Sequence, residues 1–271
     1  MSLEYRVLGQ TGLKVSILGF GGIPIMRVSE GEAMEVVDRA LDLGINFVHT
    51  SVTYGDSANK IGKVMKERRE ECYLAVKIGG GQRTREEAEE RLRNTLEVLN
   101  TDHVEIAELP INAEDLPKAM RSGGAYEAFE KAKEEGIIDH IGITSHDVDF
   151  LVEAIKTRKF SNLIVPLNYA ANSAKEKLLA LAKEIDMGVI AMKTLGKGGL
   201  PKASQALRYV WGYGVDTAIV GMNKLSEVEE NVAAASNFHP LTQGEKEELQ
   251  HIAEEIIKAG HLSKSGAVAT A

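Results

Sequence analysis

The chain has 271 residues, 44% hydrophobic and 27% charged, the composition of an ordinary globular protein. Its 40 acidic residues against 32 Lys and Arg give a formal charge of -8, which argues against a general nucleic-acid or anionic-membrane surface. One cysteine, Cys72, excludes an intrachain disulfide framework and any all-cysteine zinc or iron–sulfur site.

No apolar run approaches the length of a membrane span, and the opening MSLEYRVLG lacks a signal peptide's apolar stretch, so a cytoplasmic location is expected. Tyr5 to Ser16 reads as two short strands around a Gln10-Thr11-Gly12 turn, a hairpin. Strands are then expected at Ser16–Phe20, Ile45–His49, Cys72–Lys77, His103–Leu109, His140–Thr144, Leu163–Leu167, Gly188–Met192 and Thr217–Val220. Several are apolar almost throughout, as in LIVPL and GVIAM, the pattern of strands buried on both faces of a parallel sheet. Amphipathic helices fill the intervals, from Glu30–Leu43 to Ser226–Ala235, and a ninth over Thr242–Ala259 follows the last strand. Thr84 with Glu87, Ser173 with Glu176, Ser226 with Glu229 and Thr242 with Glu245 have capping-box spacing. Gly44, Gly136 and Gly188 stand where helices end before strands. The small, polar tail after His261 is expected to fray.

Strand ends recur every 23 to 35 residues, one βα unit repeated. Eight units in one chain predict a (β/α)8 TIM barrel of the α/β class over residues 1–271, with an N-terminal hairpin placed to plug its bottom and an extra C-terminal helix. The rival is an open doubly wound sheet, whose dinucleotide fingerprint needs Gly-x-Gly-x-x-Gly leading into a helix. The best match, Gly19-Phe20-Gly21-Gly22-Ile23-Pro24, lacks the third glycine and meets a proline.

A barrel places its chemistry at the C-terminal strand ends. Those ends carry His49, Tyr54 just beyond, Lys77, Glu108 with Pro110, Thr144-Ser145-His146, Lys193 and Gly221-Met222-Asn223. Lys77 ends the otherwise apolar YLAVK, and the glycines at 79–81 beside it leave room for a ligand. His49, His146 and Glu108 are metal-ligand types without a metal motif's spacing, and no metal is expected. Glu108 reads as half of a structural ion pair, His146 as a loop or capping residue, and Cys72 as buried and inert.

NFVHTSVTYG resembles the N-F-x-D-T-A-x-x-Y-G segment of the aldo-keto reductases. The resemblance runs on through YRVLGQTGLKVSILGFGG, TDHVEIAELP, GITSHD, GVIAMKTLGKGG and IVGMNKLSEVEENVAAA. It is nearest a prokaryotic branch whose longer members end in a ferredoxin-like cysteine cluster; this chain carries no such cluster. The resemblance implies an oxidoreductase that moves a hydride between NAD or NADP and a small carbonyl or alcohol substrate. The family's tetrad of Asp, Tyr, Lys and His falls on His49, Tyr54, Lys77 and Pro110, so two positions have changed chemical type. Cofactor positions fall on Thr144, Ser145, Met192, Lys193, Gly221, Met222, Asn223, Glu230 and Asn231. The glutamine of the sixth strand appears as Val165, and Glu227 stands where an arginine often grips the 2′-phosphate, which favours NAD over NADP.

Protonated His49 would place a second cation beside Lys77. Two unit charges about 4 Å apart interact by roughly 4 kcal/mol at an effective dielectric of 20. A lowered His49 or Lys77 pKa is therefore expected, with positive potential favouring a Tyr54 tyrosinate. Two other readings stay open: a redox-independent isomerase, lyase or hydratase using the same groups, and a non-catalytic nucleotide-binding regulator.

Overall fold

The computed structural model describes residues 2–78, 84–263 and 266–268, so the glycines at 79–81 lie outside the described residues. Strands β1 (Tyr5–Val7) and β2 (Lys14–Ser16) pair antiparallel around a 3-10 turn at Gly9–Thr11, as the hairpin expectation required. The barrel follows as β3 (Leu18–Gly21), β4 (Phe47–Ser51), β5 (Tyr73–Lys77), β6 (Val104–Pro110), β7 (Ile138–Thr144), β8 (Asn162–Pro166), β9 (Gly188–Met192) and β10 (Thr217–Gly221). Neighbours pair in parallel in chain order, and β10 returns to β3 to close the cylinder. Around it lie α1 (Glu30–Asp42), α2 (Ser57–Arg68), α3 (Arg85–Leu99), α4 (Leu116–Met120), α5 (Ala125–Glu134), α6 (Val148–Ile155), α7 (Ala174–Glu184), α8 (Ala203–Gly212), α9 (Leu225–Ser236) and α10 (Gln243–Lys258). The last is the extra C-terminal helix. Five-residue α4, with Pro117 in its first turn, has too little periodicity to stand out in the sequence.

Helix starts follow local chemistry more selectively than spacing alone suggests. Thr84 and Thr242 form reciprocal capping boxes with Glu87 and Glu245, and Ser29 forms a third with Glu32. Ser226 does not cap, because α9 already begins at Leu225. Ser173 also makes no capping hydrogen bond. Gly44 and Gly136 do end helices, with φ of +91° and +71°. Gly188 instead opens β9, and its reason is space: a Cβ there would lie 2.9 Å from the Leu8 side chain.

Alternation along the strands separates two apolar layers. Outward residues such as Val48, Leu74, Ala107, Ile143, Val165 and Ala218 pack beneath the helices. Inward residues Phe47, Ala75, Ile106, Ile164, Ile190 and Ile219 fill the lumen together with Leu8 and Val15 of the hairpin. The hairpin therefore closes the bottom of the barrel, pinned by the Gln10 N–H donating to the Asp186 carbonyl at 2.7 Å. Trp211 is a packing residue, fully buried with its indole N–H on the Ile17 carbonyl at 2.7 Å. The tail does not simply fray: the Val268 N–H donates to the Gly196 carbonyl at 2.9 Å, and Asn168 Nδ2 donates to the Gly266 carbonyl at 3.0 Å. Val268 is buried against Leu200, Tyr169 and Leu249. Its apolar side chain is a docking point that composition alone undervalued.

Gly9 has φ of +45°, and a Cβ on it would sit 2.3 Å from the Gly188 nitrogen. Gly9→Ala should destabilise the barrel by at least about 2 kcal/mol, measured by urea unfolding. An unchanged midpoint would show that the plug contributes nothing to closure.

Candidate active site

The inward positions of the top layer come from adjacent strands. His49 on β4, Lys77 on β5 and Glu108 on β6 continue the inward series begun by Phe47, Ala75 and Ile106. The barrel register brings Lys77 level with Glu108 and with Ser51, two residues beyond His49. His49 Nε2 lies 3.4 Å from Glu108 Oε2, with the two side chains 3% and 0% exposed. The approach is an ion-pair distance outside hydrogen-bond geometry. Among the described residues, His49 Nε2 and both Glu108 oxygens have no hydrogen-bond partner. Lys77 Nζ makes a weak 4.0 Å contact with Met192 Sδ across the lumen.

Tyr54 sits in the turn between β4 and α2, held by its backbone N–H on the Ser51 carbonyl and by its carbonyl accepting from the Ser57 N–H. Ser57 in turn donates its hydroxyl to the Gly22 carbonyl at 2.7 Å, tying this turn to the end of β3. The Tyr54 ring packs against the His49 ring at 6.3 Å between centroids. Among the described residues no hydrogen bond joins the Tyr54 hydroxyl to Lys77, so the two are gathered at one mouth without a direct bond.

The electrostatics differ from the expectation at one point. Burial lowers the His49 pKa most, opposed by Glu108, while repulsion from Lys77 adds a smaller lowering. Burial also lowers Lys77, opposed by the Glu108 charge. Both directions agree with the expectation, although desolvation outweighs cation–cation repulsion. Tyr54 goes the other way: burial first and the Glu108 charge second raise its pKa. The tyrosinate expectation is therefore corrected, because burial and, after it, the carboxylate on β6 both hold the proton on. Both causes favour the neutral phenol.

A cationic rim surrounds this layer. Lys193, just after β9 at φ of +56°, is brought down to about 8 by burial, with Lys197 and Lys77 adding repulsion. His146 is brought down to about 4 by burial and by Lys193, Lys77 and Lys197. His146 is not a cap; that role belongs to Asp147, whose carboxylate accepts the Phe150 N–H at 3.0 Å. Burial pushes the Cys72 thiol up to about 12, far from any reactive range.

The remaining candidates are dispersed. Thr144 is buried at the inward end of β7, and the Ser145 hydroxyl accepts the Asp147 N–H at 3.3 Å. Met192 lies in the lumen layer. Gly221 ends β10 beside the Pro24 ring, while Met222 is buried in the outer layer and presents no side chain to the mouth. Glu230 is exposed on α9 and Asn231 is buried there. The Asn223 N–H donates to Glu227 Oε2 at 2.8 Å, so a carboxylate occupies the entrance of α9. Val165 also faces outward, and the inward positions of β8 are Ile164 and Pro166. Glu108, expected as half of an ion pair, has His49 as that partner, which the sequence did not name. Its signal was the inward series Ile106-x-Glu108-x-Pro110 within VEIAELP. Among the described residues no group of three or more His, Cys, Asp or Glu is arranged to hold a metal ion, and no helix is long and apolar enough to cross a membrane.

Barrels of this architecture carry out their chemistry at the strand C-termini, where this one brings His49, Lys77 and Glu108 together. The aldo/keto reductase family model matches residues 17–206, and the chain belongs to that family. Among its relatives, L-galactose dehydrogenase of Arabidopsis thaliana is 29% identical over 88% of this chain and 90% of that protein. A solved structure described as an aldo-keto reductase of Pseudomonas aeruginosa is 28% identical, with a TM-score of 0.75 over 86% of this chain and 94% of its own. An aldo-keto reductase of Klebsiella pneumoniae, solved with NADPH, shares the fold at a TM-score of 0.78 over 93% and 96% of the two chains, with 18% identity.

Near-ultraviolet difference titration of wild type against Tyr54→Phe should show Tyr54 keeping its proton beyond the range of the exposed tyrosines. Ionisation with or before the exposed phenols would remove the buried, Glu108-facing setting described above.

Proposed function

We propose that the chain is a nicotinamide-dependent reductase of small carbonyl compounds, with Tyr54 as the proton donor, Lys77 and His49 beside it, and NAD preferred over NADP. The observation that carries this reading is the Tyr54 phenol, kept protonated by burial, packed on His49 at the mouth of the barrel. Family membership supports the reaction class. The NADPH bound by the Klebsiella relative and the sugar named for the Arabidopsis one are consistent with a dinucleotide and a small polar substrate.

When bound, the dinucleotide supplies or takes up the hydride at the carbonyl carbon. Tyr54 then holds the proton destined for the carbonyl oxygen, and the lumen residues below, Phe47 and Ile106 among them, exclude water from that end. Thr144, Ser145, Met192, Lys193, Gly221, Met222, Asn223, Glu230 and Asn231 are the candidate holding positions. Of these, Met222 would act only through its backbone, since its side chain is buried in the outer layer. Glu227 already accepts the Asn223 N–H, so an added 2′-phosphate would meet a carboxylate there.

Tyr54→Phe should lower kcat by at least about 100-fold on any aldehyde that is reduced, with NADH affinity retained. Turnover surviving that change refutes the role. Glu227→Arg should shift preference toward NADPH by about tenfold or more in the ratio of the two Kd values, read by fluorescence quenching. NADH affinity should also weaken as pH rises through about 8, where Lys193 sheds its charge, and Lys193→Met should flatten that dependence.

One observation favours a redox-independent acid–base enzyme instead: the inward β8 positions Ile164 and Pro166 offer no side-chain donor to a carboxamide. Titration with NAD(H) and NADP(H) separates the two readings. Absent binding of all four would favour the second.

A further inference from the structure

The tetrad resemblance leaves this pocket without its carboxylate at position 49 and without its imidazole at position 110. The structure holds both groups, on the opposite strands. The imidazole stands on β4 as His49, and a carboxylate stands on β6 as Glu108, two residues before Pro110 on the same inward face. We propose that the acid and the imidazole have exchanged strands, and that Glu108 is the positioning residue that orients His49 and balances the charge of Lys77. The proposal rests on the reductase reading, in which Tyr54 is the proton donor.

Three observations carry it. Glu108 is completely buried, and a buried charge without compensation is costly. Its carboxylate lies beside His49, with Nε2 and Oε2 3.4 Å apart, and neither Nε2 nor either carboxylate oxygen has a hydrogen-bond partner among the described residues. The strand register puts Glu108 level with Lys77, whose ammonium enters the same layer. Around His49 the facing groups are Glu108 from β6, Lys77 from β5 and Tyr54 from the turn after β4, while β3 presents Gly21. The layer thus holds one acid and one amine beside the imidazole. That is the balance an Asp–Lys pair would give, obtained with the carboxylate two strands away. A packing residue alone would not need a charge here, since apolar replacement of buried ionic groups is often neutral or stabilising.

The test compares wild type with Glu108→Gln, Glu108→Asp, His49→Asp and the double variant His49→Asp/Glu108→Gln. NADH serves as reductant and a panel of small aldehydes as substrates. Glu108→Gln should lower kcat roughly tenfold or more with KM within about threefold, and Glu108→Asp should recover part of the loss. The double variant, which returns the acid to β4, should exceed both singles, a non-additivity expected only of residues acting as a unit. Independently of turnover, an NMR titration of the His49 ring should show its pKa falling further in Glu108→Gln, because the carboxylate opposes the lowering caused by burial. Thermal melts of each variant identify any that fail to fold, and the ring titration of the folded Glu108→Asp variant then replaces Glu108→Gln as the readout.

An unchanged His49 titration overturns the Glu108 contact. Unchanged kcat in Glu108→Gln overturns the positioning role. If wild type reduces no carbonyl at all, the reductase reading fails and takes the catalytic half of the proposal with it, while the titration still reports whether the two side chains are coupled.

Discussion

A carboxylate, an imidazole and an ammonium share one desolvated layer at the top of the barrel, and the chemistry of the site follows from how their charges balance. Low dielectric makes each of them expensive alone. Burial pulls His49 and Lys77 toward their neutral forms, and Glu108 pulls both back. Tyr54, at the edge of the same layer, responds to the carboxylate more than to the cations and keeps its proton. A phenol beside a lysine has the opposite tendency when no anion is near. Burial, the larger cause, and the carboxylate on β6 thus act in the same direction to keep the proton on Tyr54.

The scaffold makes such a layer possible by filling everything beneath it. Phe47, Ala75, Ile106, Ile164, Ile190 and Ile219 form a dry floor, completed by Leu8 and Val15 of the hairpin. Polar side chains at the next inward positions are buried on one side and face the mouth on the other. Glycines 19 and 21 on β3 leave room in a crowded cylinder; a Cβ on Gly19 would approach Phe47 and Ile219 at 3.1 and 3.2 Å. Packing and electrostatics are coupled here, since the floor supplies the desolvation that shifts the titrating groups above it.

The barrel was legible because its signals are local and repeated. Apolar runs such as LIVPL and GVIAM mark strands wherever they sit in three dimensions, and the recurring interval supplies the closure. The mouth residues His49, Tyr54 and Lys77 were legible for the same reason. Glu108 was legible as a strand-end residue and half of an ion pair, but its partner was not, because that depends on the register that aligns β6 with β5 and β4. Val165 was misjudged on the same ground, since the outward face of β8 is separated from the inward face by a single residue. The charge of the mouth followed suit: repulsion between His49 and Lys77 was foreseeable, whereas the burial that, with Glu108, raises the Tyr54 pKa was visible only once the strands were placed side by side. The tail showed the converse, in that a short polar segment looked unanchored until Val268 was seen packed on Leu200.

The hairpin across the base turns the cylinder into a blind shaft. The imidazole is therefore cut off from the base by a packed floor, and the end of the barrel that carries Lys193 is the one that remains to it.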